Sequence, residues 1–107
     1  MSNFLLLYSG GSGMPETEAE GAAVLKTWMD WYGQLGAAVV DGGNPTSPVA
    51  KIIAGDGTVS AVPAEMMISG YTIIAADSLD AAVEMSRGCP VLQADGRVAV
   101  FETFNAM

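Results

Sequence analysis

The stretch that decides the fold runs from Glu16 to Pro45 and reads ETEAEGAAVLKTWMDWYGQLGAAVVDGGNP. Its apolar residues recur at steps of three and four, which predicts one long amphipathic helix. These residues are Ala22, Leu25, Trp28, Met29, Tyr32 and Leu35. Thr17, followed three residues later by Glu20, is typical of a helix N-cap. Gly36 can take the left-handed conformation that ends a helix, so a strand over residues 37–41 is expected to follow.

Apolar runs elsewhere in the chain predict three more strands, which are residues 4–8, 71–76 and 97–104. The Gly55-Asp56-Gly57 sequence predicts a hairpin between residues 49–54 and 58–61. A second helix is expected to begin at Asp77-Ser78 and to be capped by Gly88, with residues 91–92 extended after it. Its inward stripe is expected to consist of Leu79, Ala82, Val83 and Ser86.

The predicted order is β-α-β, an inserted hairpin, and β-α-β again, within a single domain of residues 1–107. Split βαβ units of this kind form an antiparallel sheet with both helices on one face. The fold class is therefore α+β, a ferredoxin-like βαββαβ sandwich with an inserted β-hairpin. A doubly wound parallel sheet is disfavoured, because two helices cannot cover both faces of four strands.

Charge and composition narrow the classes of partner and cofactor. The formal net charge of −8 would repel phosphate backbones and anionic lipid surfaces, so neither nucleic acid nor membrane is an expected partner. The single cysteine, Cys89, and the absence of a basic residue before the short apolar run at Phe4 favour a cytoplasmic location. With no histidine and one cysteine, no metal site and no cofactor are expected.

The predicted strands are apolar at consecutive rather than alternate positions, as in Leu5-Leu6-Leu7, Val39-Val40 and Ile73-Ile74. Both faces of the sheet are therefore expected to be apolar, whereas two helices can cover only one of them. An uncovered apolar face of this size predicts a homodimer related by a two-fold axis. The alternative is that the hairpin and residues 63–69 fold back over that face.

Three stretches form a recognisable pattern, which are Gly70-Tyr71-Thr72-Ile73-Ile74, Ala76-Asp77-Ser78-Leu79-Asp80-Ala81-Ala82-Val83 and Gly88-Cys89-Pro90. In these stretches most strongly, and over nearly its whole length, the chain resembles the YCII-related domain family. The resemblance implies a ferredoxin-like domain that pairs into a dimeric α+β barrel, in a family whose members mostly lack an established activity. The His–Asp pair proposed for some members has no counterpart, because the chain contains no histidine. The Asp-Gly-Pro-Phe motif of many members is replaced by Ser60-Ala61-Val62-Pro63.

Polar groups on otherwise apolar strands are the candidate site residues. Asp41 is the candidate catalytic residue, since a partly buried carboxylate there could move a proton. The alternative is that Asp41 only bonds the backbone of its own turn. The candidate ligand-binding residues are Tyr8, Tyr71, Glu102 and Met66. Each has a structural alternative, namely rim packing for the tyrosines, a solvated or ion-paired edge for Glu102, and loop packing for Met66.

The sequence therefore predicts a homodimer that binds a small, largely apolar molecule in a cleft. If it is an enzyme, Asp41 with a tyrosine hydroxyl would support proton transfer or isomerisation. The rival hypothesis is a non-catalytic homodimeric accessory or interaction module with a filled cleft. A heme or oxygen enzyme is a distant third, because the usual histidine ligand is missing.

Overall fold

The computed structural model describes residues 1–10 and 17–105. Within these ranges the chain forms two helices, α1 at Glu18–Leu35 and α2 at Leu79–Ser86. The strands are β1 Ser2–Gly10, β2 Val39–Asp41, β3 Lys51–Ile53, β4 Val59–Ala61, β5 Gly70–Ala76 and β6 Gly96–Glu102. Three short 3₁₀ turns complete the described structure, at Gly36–Ala38, Ala64–Met66 and Pro90–Ala94. The glycine-rich run Gly10-Gly11-Ser12-Gly13 predicts a loop between β1 and α1, and its residues after Gly10 lie outside the described ranges.

Four strands form an antiparallel sheet in the order β2-β5-β1-β6, and β3 and β4 form a separate two-stranded sheet. The central strands pair in long register, with Phe4 opposite Ile74 and Leu6 opposite Thr72. Both helices pack on the same face of the four-stranded sheet. The predicted α+β class is therefore confirmed, and the arrangement is consistent with a ferredoxin-like fold.

Short-range signals correctly predicted both ends of α1, the start of α2 and the turn of the hairpin. The Thr17 hydroxyl accepts a hydrogen bond from the Glu20 amide, and Gly36 ends α1 with a φ of 58°. The Ser78 hydroxyl accepts from the Ala81 amide and caps α2 in the same way. In the hairpin, the Asp56 carboxylate accepts from the Thr58 amide. Each of these contacts spans only two or three residues, which is why the local sequence suffices to predict it.

The predicted inward stripe of α1 was wrong at three of its six positions, Ala22, Leu25 and Met29. Leu25 and Met29 are exposed, whereas Trp31, which lies off that stripe, is buried with 3% exposure. Burial of α1 begins only near Trp28, because the first part of the helix lies beyond the packed core. The stripe of α2 was half right, since Ala82 and Ser86 are buried but its two other members are exposed.

Three smaller predictions were also corrected. Residues 37–38 belong to a 3₁₀ turn rather than to β2, and residues 91–92 lie in the 3₁₀ turn Pro90–Ala94 rather than in an extended segment. The C-cap of α2 is Arg87, one residue before the predicted glycine. Pro90 stands at the first position of its turn, where its missing N–H costs nothing, and so favours a new turn over an extended chain.

Helices cover only one face of the four-stranded sheet, although most of the central residues of both faces are apolar. The helix-covered face carries the core, including Phe4, Leu6 and Ile74, each with 0% exposure. The opposite face, here called the helix-free face, carries the alternate residues of the same strands. Its apolar members are Leu5, Leu7, Tyr71, Ile73, Ala75, Ala99 and Phe101, all half-buried or exposed. The sheet is thus apolar on both sides, as its consecutive apolar residues predict.

The hairpin of β3 and β4 does not cover the helix-free face. Its apolar pair Ile53 and Val59 is exposed, at 70% and 57%, and Phe101 on the helix-free face is 52% exposed. The alternative that the hairpin and residues 63–69 fold back over that face was therefore wrong for the hairpin, and residues 63–66 of the following loop are exposed as well. Among the described residues, none of the helices is long and apolar enough to cross a membrane.

Candidate functional site

A chain of three hydroxyl groups lies between α1 and the sheet, with Tyr8 and Thr72 buried and Tyr32 half-buried. Tyr8 donates a hydrogen bond of 2.6 Å to Thr72 Oγ1, and Thr72 donates one of 3.1 Å to the Gly42 carbonyl oxygen. Tyr32 donates to the same carbonyl at 3.0 Å, and its hydroxyl lies 3.3 Å from Thr72 Oγ1. Three elements that are distant in sequence, β1, α1 and β5, therefore meet at the loop that follows β2.

Aromatic rings enclose this hydroxyl chain. The ring of Trp28 meets that of Tyr8 edge-on, with centroids 5.2 Å apart, and also contacts Trp31 and Tyr32. Trp31 donates its indole N–H to the Met85 carbonyl oxygen at 3.2 Å, which ties α1 to α2. The fully buried thiol of Cys89 belongs to the same core. Cys89 therefore packs as a small buried hydrophobe.

Burial controls the protonation of these groups. It raises the pKa of Tyr8 well above the usual tyrosine value and also raises the pKa of Tyr32. Burial likewise raises the pKa of the Cys89 thiol, so this group is a poor nucleophile at neutral pH. Both phenols therefore act as neutral donors rather than as bases. What the hydroxyl chain does in this structure is to hold the Gly42 carbonyl in place.

The same loop is held from the helix-free side. Gly43 has a φ of 70°, and a Cβ atom there would overlap the Tyr71 carbonyl oxygen and lie 3.0 Å from Cδ2 of its ring. The Asp41 Oδ1 atom accepts a 2.8 Å hydrogen bond from the Gly43 amide. Asp41 is the register partner of Ile73 after a one-residue shift, which places it on the helix-free side. Asp41 and Tyr71 thus stand at the rim of the helix-free face, on either side of Gly43, but the Asp41 side chain is exposed rather than partly buried as expected.

The other candidate residues are placed elsewhere. Tyr8 is buried on the helix-covered face, opposite Gly70, so it does not share a site with Tyr71. Glu102 is exposed and pairs with Phe4 at the end of β6, the edge strand farthest from β2. Asp41 and Glu102 therefore lie on opposite edges of the sheet and do not form a carboxylate pair within one chain. Met66 is exposed in the 3₁₀ turn before β5.

Sequence reasoning missed two members of the hydroxyl chain. Thr72 was not singled out although it is a polar residue inside an apolar strand, and that position is the signal that could have identified it. Tyr32 was assigned only to the helical stripe. Pairing them with Tyr8 requires the register between β1 and β5, which local sequence does not specify.

Two further observations bear on identity. Among residues 1–10 and 17–105, the structure holds no group of three acidic or sulfur side chains placed to bind a metal ion. The sequence matches no family model, and a search of the curated proteins found no match.

Proposed function

We propose that the protein acts as a homodimer whose two helix-free faces meet, and that it binds a small, largely apolar molecule in the cleft between them. The observation that carries the proposal is the uncovered helix-free face, with Leu5, Leu7 and Ile73 at its centre. Such apolar surfaces on soluble chains mark interaction sites or ligand grooves. The proposal includes the dimeric α+β barrel, membership of the YCII-related family and a cytoplasmic location.

The charged side chains are compatible with this pairing. Within the described part of the chain, Lys26 pairs with Asp30 and Arg87 with Glu84, while Arg97 makes no ion pair. Arg97 is the register partner of Ser9, whose side chain lies on the helix-free side. It stands at the margin of that face, where a carboxylate of the second copy can reach it. The central part of the face carries no charged residue.

The ligand site in this proposal is the rim formed by Asp41 and Tyr71. One bond to the Gly43 amide leaves the Asp41 carboxylate with acceptor capacity for a ligand. The half-buried Tyr71 ring offers an apolar wall and a phenolic donor beside it. A second chain over the face would remove water from the rim and so strengthen hydrogen bonds there. Asp41 would then serve as the proton acceptor in proton transfer or isomerisation.

The dimer is tested by mass and by one charged substitution. Light scattering at micromolar concentration should give about twice the 11.0 kDa chain mass. Leu7→Arg, at the centre of the helix-free face, should give a folded monomer, because an unpaired charge cannot be buried between two apolar sheets. The matched control is Leu25→Arg on the exposed part of α1, which should remain dimeric. A wild-type monomer, or a dimer that survives Leu7→Arg, would refute the pairing.

The ligand site is tested separately on the dimer. Small aromatic acids and lactones should raise the melting temperature when they bind the native state. Asp41→Asn should abolish such a shift, or any isomerisation detected with the same compound, whereas Asp56→Asn in the hairpin turn should not. An unchanged shift in Asp41→Asn would exclude this carboxylate from the site.

A second candidate function is a non-catalytic dimeric module. The observation that favours it is the Asp41–Gly43 turn, in which the carboxylate already has a backbone role. This candidate predicts a dimer that no compound in the screen stabilises. The dimer experiment does not separate the two candidates, and the ligand experiment does.

A further inference from the structure

The hairpin of β3 and β4 presents an unusual surface for a segment of one chain. Lys51 pairs with Ala61 and Ile53 with Val59, so these four side chains share one face of the hairpin. All four are exposed. This face, here called the hairpin face, therefore has an apolar tip and a lysine at its base.

Such a hairpin is poorly supported by its own chain. Each strand has three residues and pairs only with the other, outside the four-stranded sheet. An isolated two-stranded hairpin is marginally stable in water, and usually needs a further strand or a packing surface. The radius of gyration of 15.2 Å also exceeds the roughly 13 Å expected of a compact chain of this length, which agrees with projecting segments.

The surface area that a stable dimer buries favours a second copy of this chain as the packing surface for the hairpin. Four strands at their usual spacing and length give the helix-free face about 400 Å² in projection. A standard interface buries roughly 800 Å² per partner, so sheet-to-sheet contact supplies only about half of it. At the same spacing and rise, the two three-residue strands of the hairpin add about 100 Å² in projection, and two-fold symmetry makes each subunit both donate and receive one hairpin. The area per subunit then reaches about 600 Å², which is the lower end of the range for standard interfaces.

We infer that the hairpin is a dimerisation arm whose apolar face, Ile53 and Val59, packs against a second copy of this chain outside the contact between the two sheets. This inference rests on the proposed homodimer. Lys51 supports it, because within residues 1–10 and 17–105 it makes no ion pair and each copy carries a net charge of −8. A cation on the arm can meet a carboxylate of the acidic partner, which lowers the repulsion between two like-charged chains.

The arm is tested by replacing its apolar tip while keeping β-branched residues. Ile53→Thr with Val59→Thr should raise the dimer dissociation constant at least tenfold in sedimentation equilibrium, with an unchanged circular dichroism spectrum. Val24→Thr, at an exposed valine of α1, is the matched control and should leave the dissociation constant unchanged. An unchanged constant in the hairpin variant would overturn the inference.

Hydrogen exchange on the unmodified hairpin gives a second test that does not depend on the variant folding. The Ala54 amide, which donates to the Thr58 carbonyl, should exchange at least tenfold more slowly in the wild-type dimer than in the Leu7→Arg monomer. Equal rates would refute the arm and leave the sheet-to-sheet dimer standing. A monomeric wild type would refute both.

Discussion

The hydroxyl chain makes a quantitative prediction about two buried substitutions. Tyr8→Phe removes a donor but leaves Thr72 bonded to the Gly42 carbonyl, so it should cost about 1 kcal/mol of unfolding free energy. Thr72→Val keeps the side-chain volume but deprives the buried Tyr8 hydroxyl of its oxygen acceptor, which leaves only the weakly accepting Cys89 thiol beside it. It should cost about 2 kcal/mol, since an unsatisfied buried group carries its full desolvation penalty. The two changes should therefore differ although they break the same bond.

The double variant makes the reasoning falsifiable. In the Tyr8→Phe background, Thr72→Val no longer leaves a tyrosine hydroxyl without its oxygen acceptor. The double variant should therefore lower the unfolding free energy by about 2 kcal/mol rather than by the additive value of about 3 kcal/mol. The difference is a coupling energy of about 1 kcal/mol. Urea unfolding at one fixed protein concentration measures each value, because dimer stability depends on concentration. Thr27→Val, at an exposed helical threonine, is the control and should change stability by less than about 0.5 kcal/mol. Additive costs, or a Tyr8→Phe change as large as that of Thr72→Val, would refute the assigned donor and acceptor roles.

Four other predictions follow from the same structure. Gly43→Ala should lower the unfolding free energy by about 2–4 kcal/mol in urea unfolding, because the φ of Gly43 is positive and the Tyr71 carbonyl occupies the space that a Cβ atom would need. Gly33→Ala, in a helical position with open space around it, should instead raise the unfolding free energy by about 0.5–1 kcal/mol. Ser78→Ala should cost about 1 kcal/mol through loss of the α2 cap, measured in the same way. The raised pKa of Tyr8 contributes stability that is present below about pH 10 and is lost as the pH rises towards the pKa of Tyr8 in the folded state. Urea unfolding from about pH 8 to 11 should show this loss of stability, and the loss should be smaller in Tyr8→Phe. Because each chain carries a charge of −8, added salt should tighten the dimer in sedimentation experiments, and a dimer weakened by salt would contradict an apolar interface between like-charged chains.

The features predicted well from sequence are those that depend on neighbours within a few residues. The caps at Thr17 and Ser78, the Gly36 helix end and the Asp56 turn all involve contacts of this kind. The consecutive apolar residues of the strands also predicted a sheet that is apolar on both faces. These signals sufficed for the α+β class.

The features that sequence did not predict depend on long-range packing. Trp31 is buried, and its indole N–H donates to the Met85 carbonyl oxygen of α2, a contact across 54 positions that no helical period reveals. The strand register decides which face of the sheet each candidate residue occupies. Tyr8 lies opposite Gly70 on the helix-covered face, whereas Asp41 lies on the helix-free face after a shift in the pairing of β2 with β5. A one-residue change of register moves a side chain to the other face, so a polar residue on an apolar strand cannot be assigned to a site before pairing is known.

The uneven burial of α1 has a consequence for its dynamics. The helix is anchored through Trp28, Trp31 and Tyr32, while residues 18–27 are exposed apart from a half-buried Gly21. Segments with few buried contacts open at a small fraction of the global unfolding free energy. The first turns of α1 should therefore unwind and re-form while the aromatic anchor stays closed. A protease that cuts within these turns would then leave the tryptophan environment of the remaining chain intact.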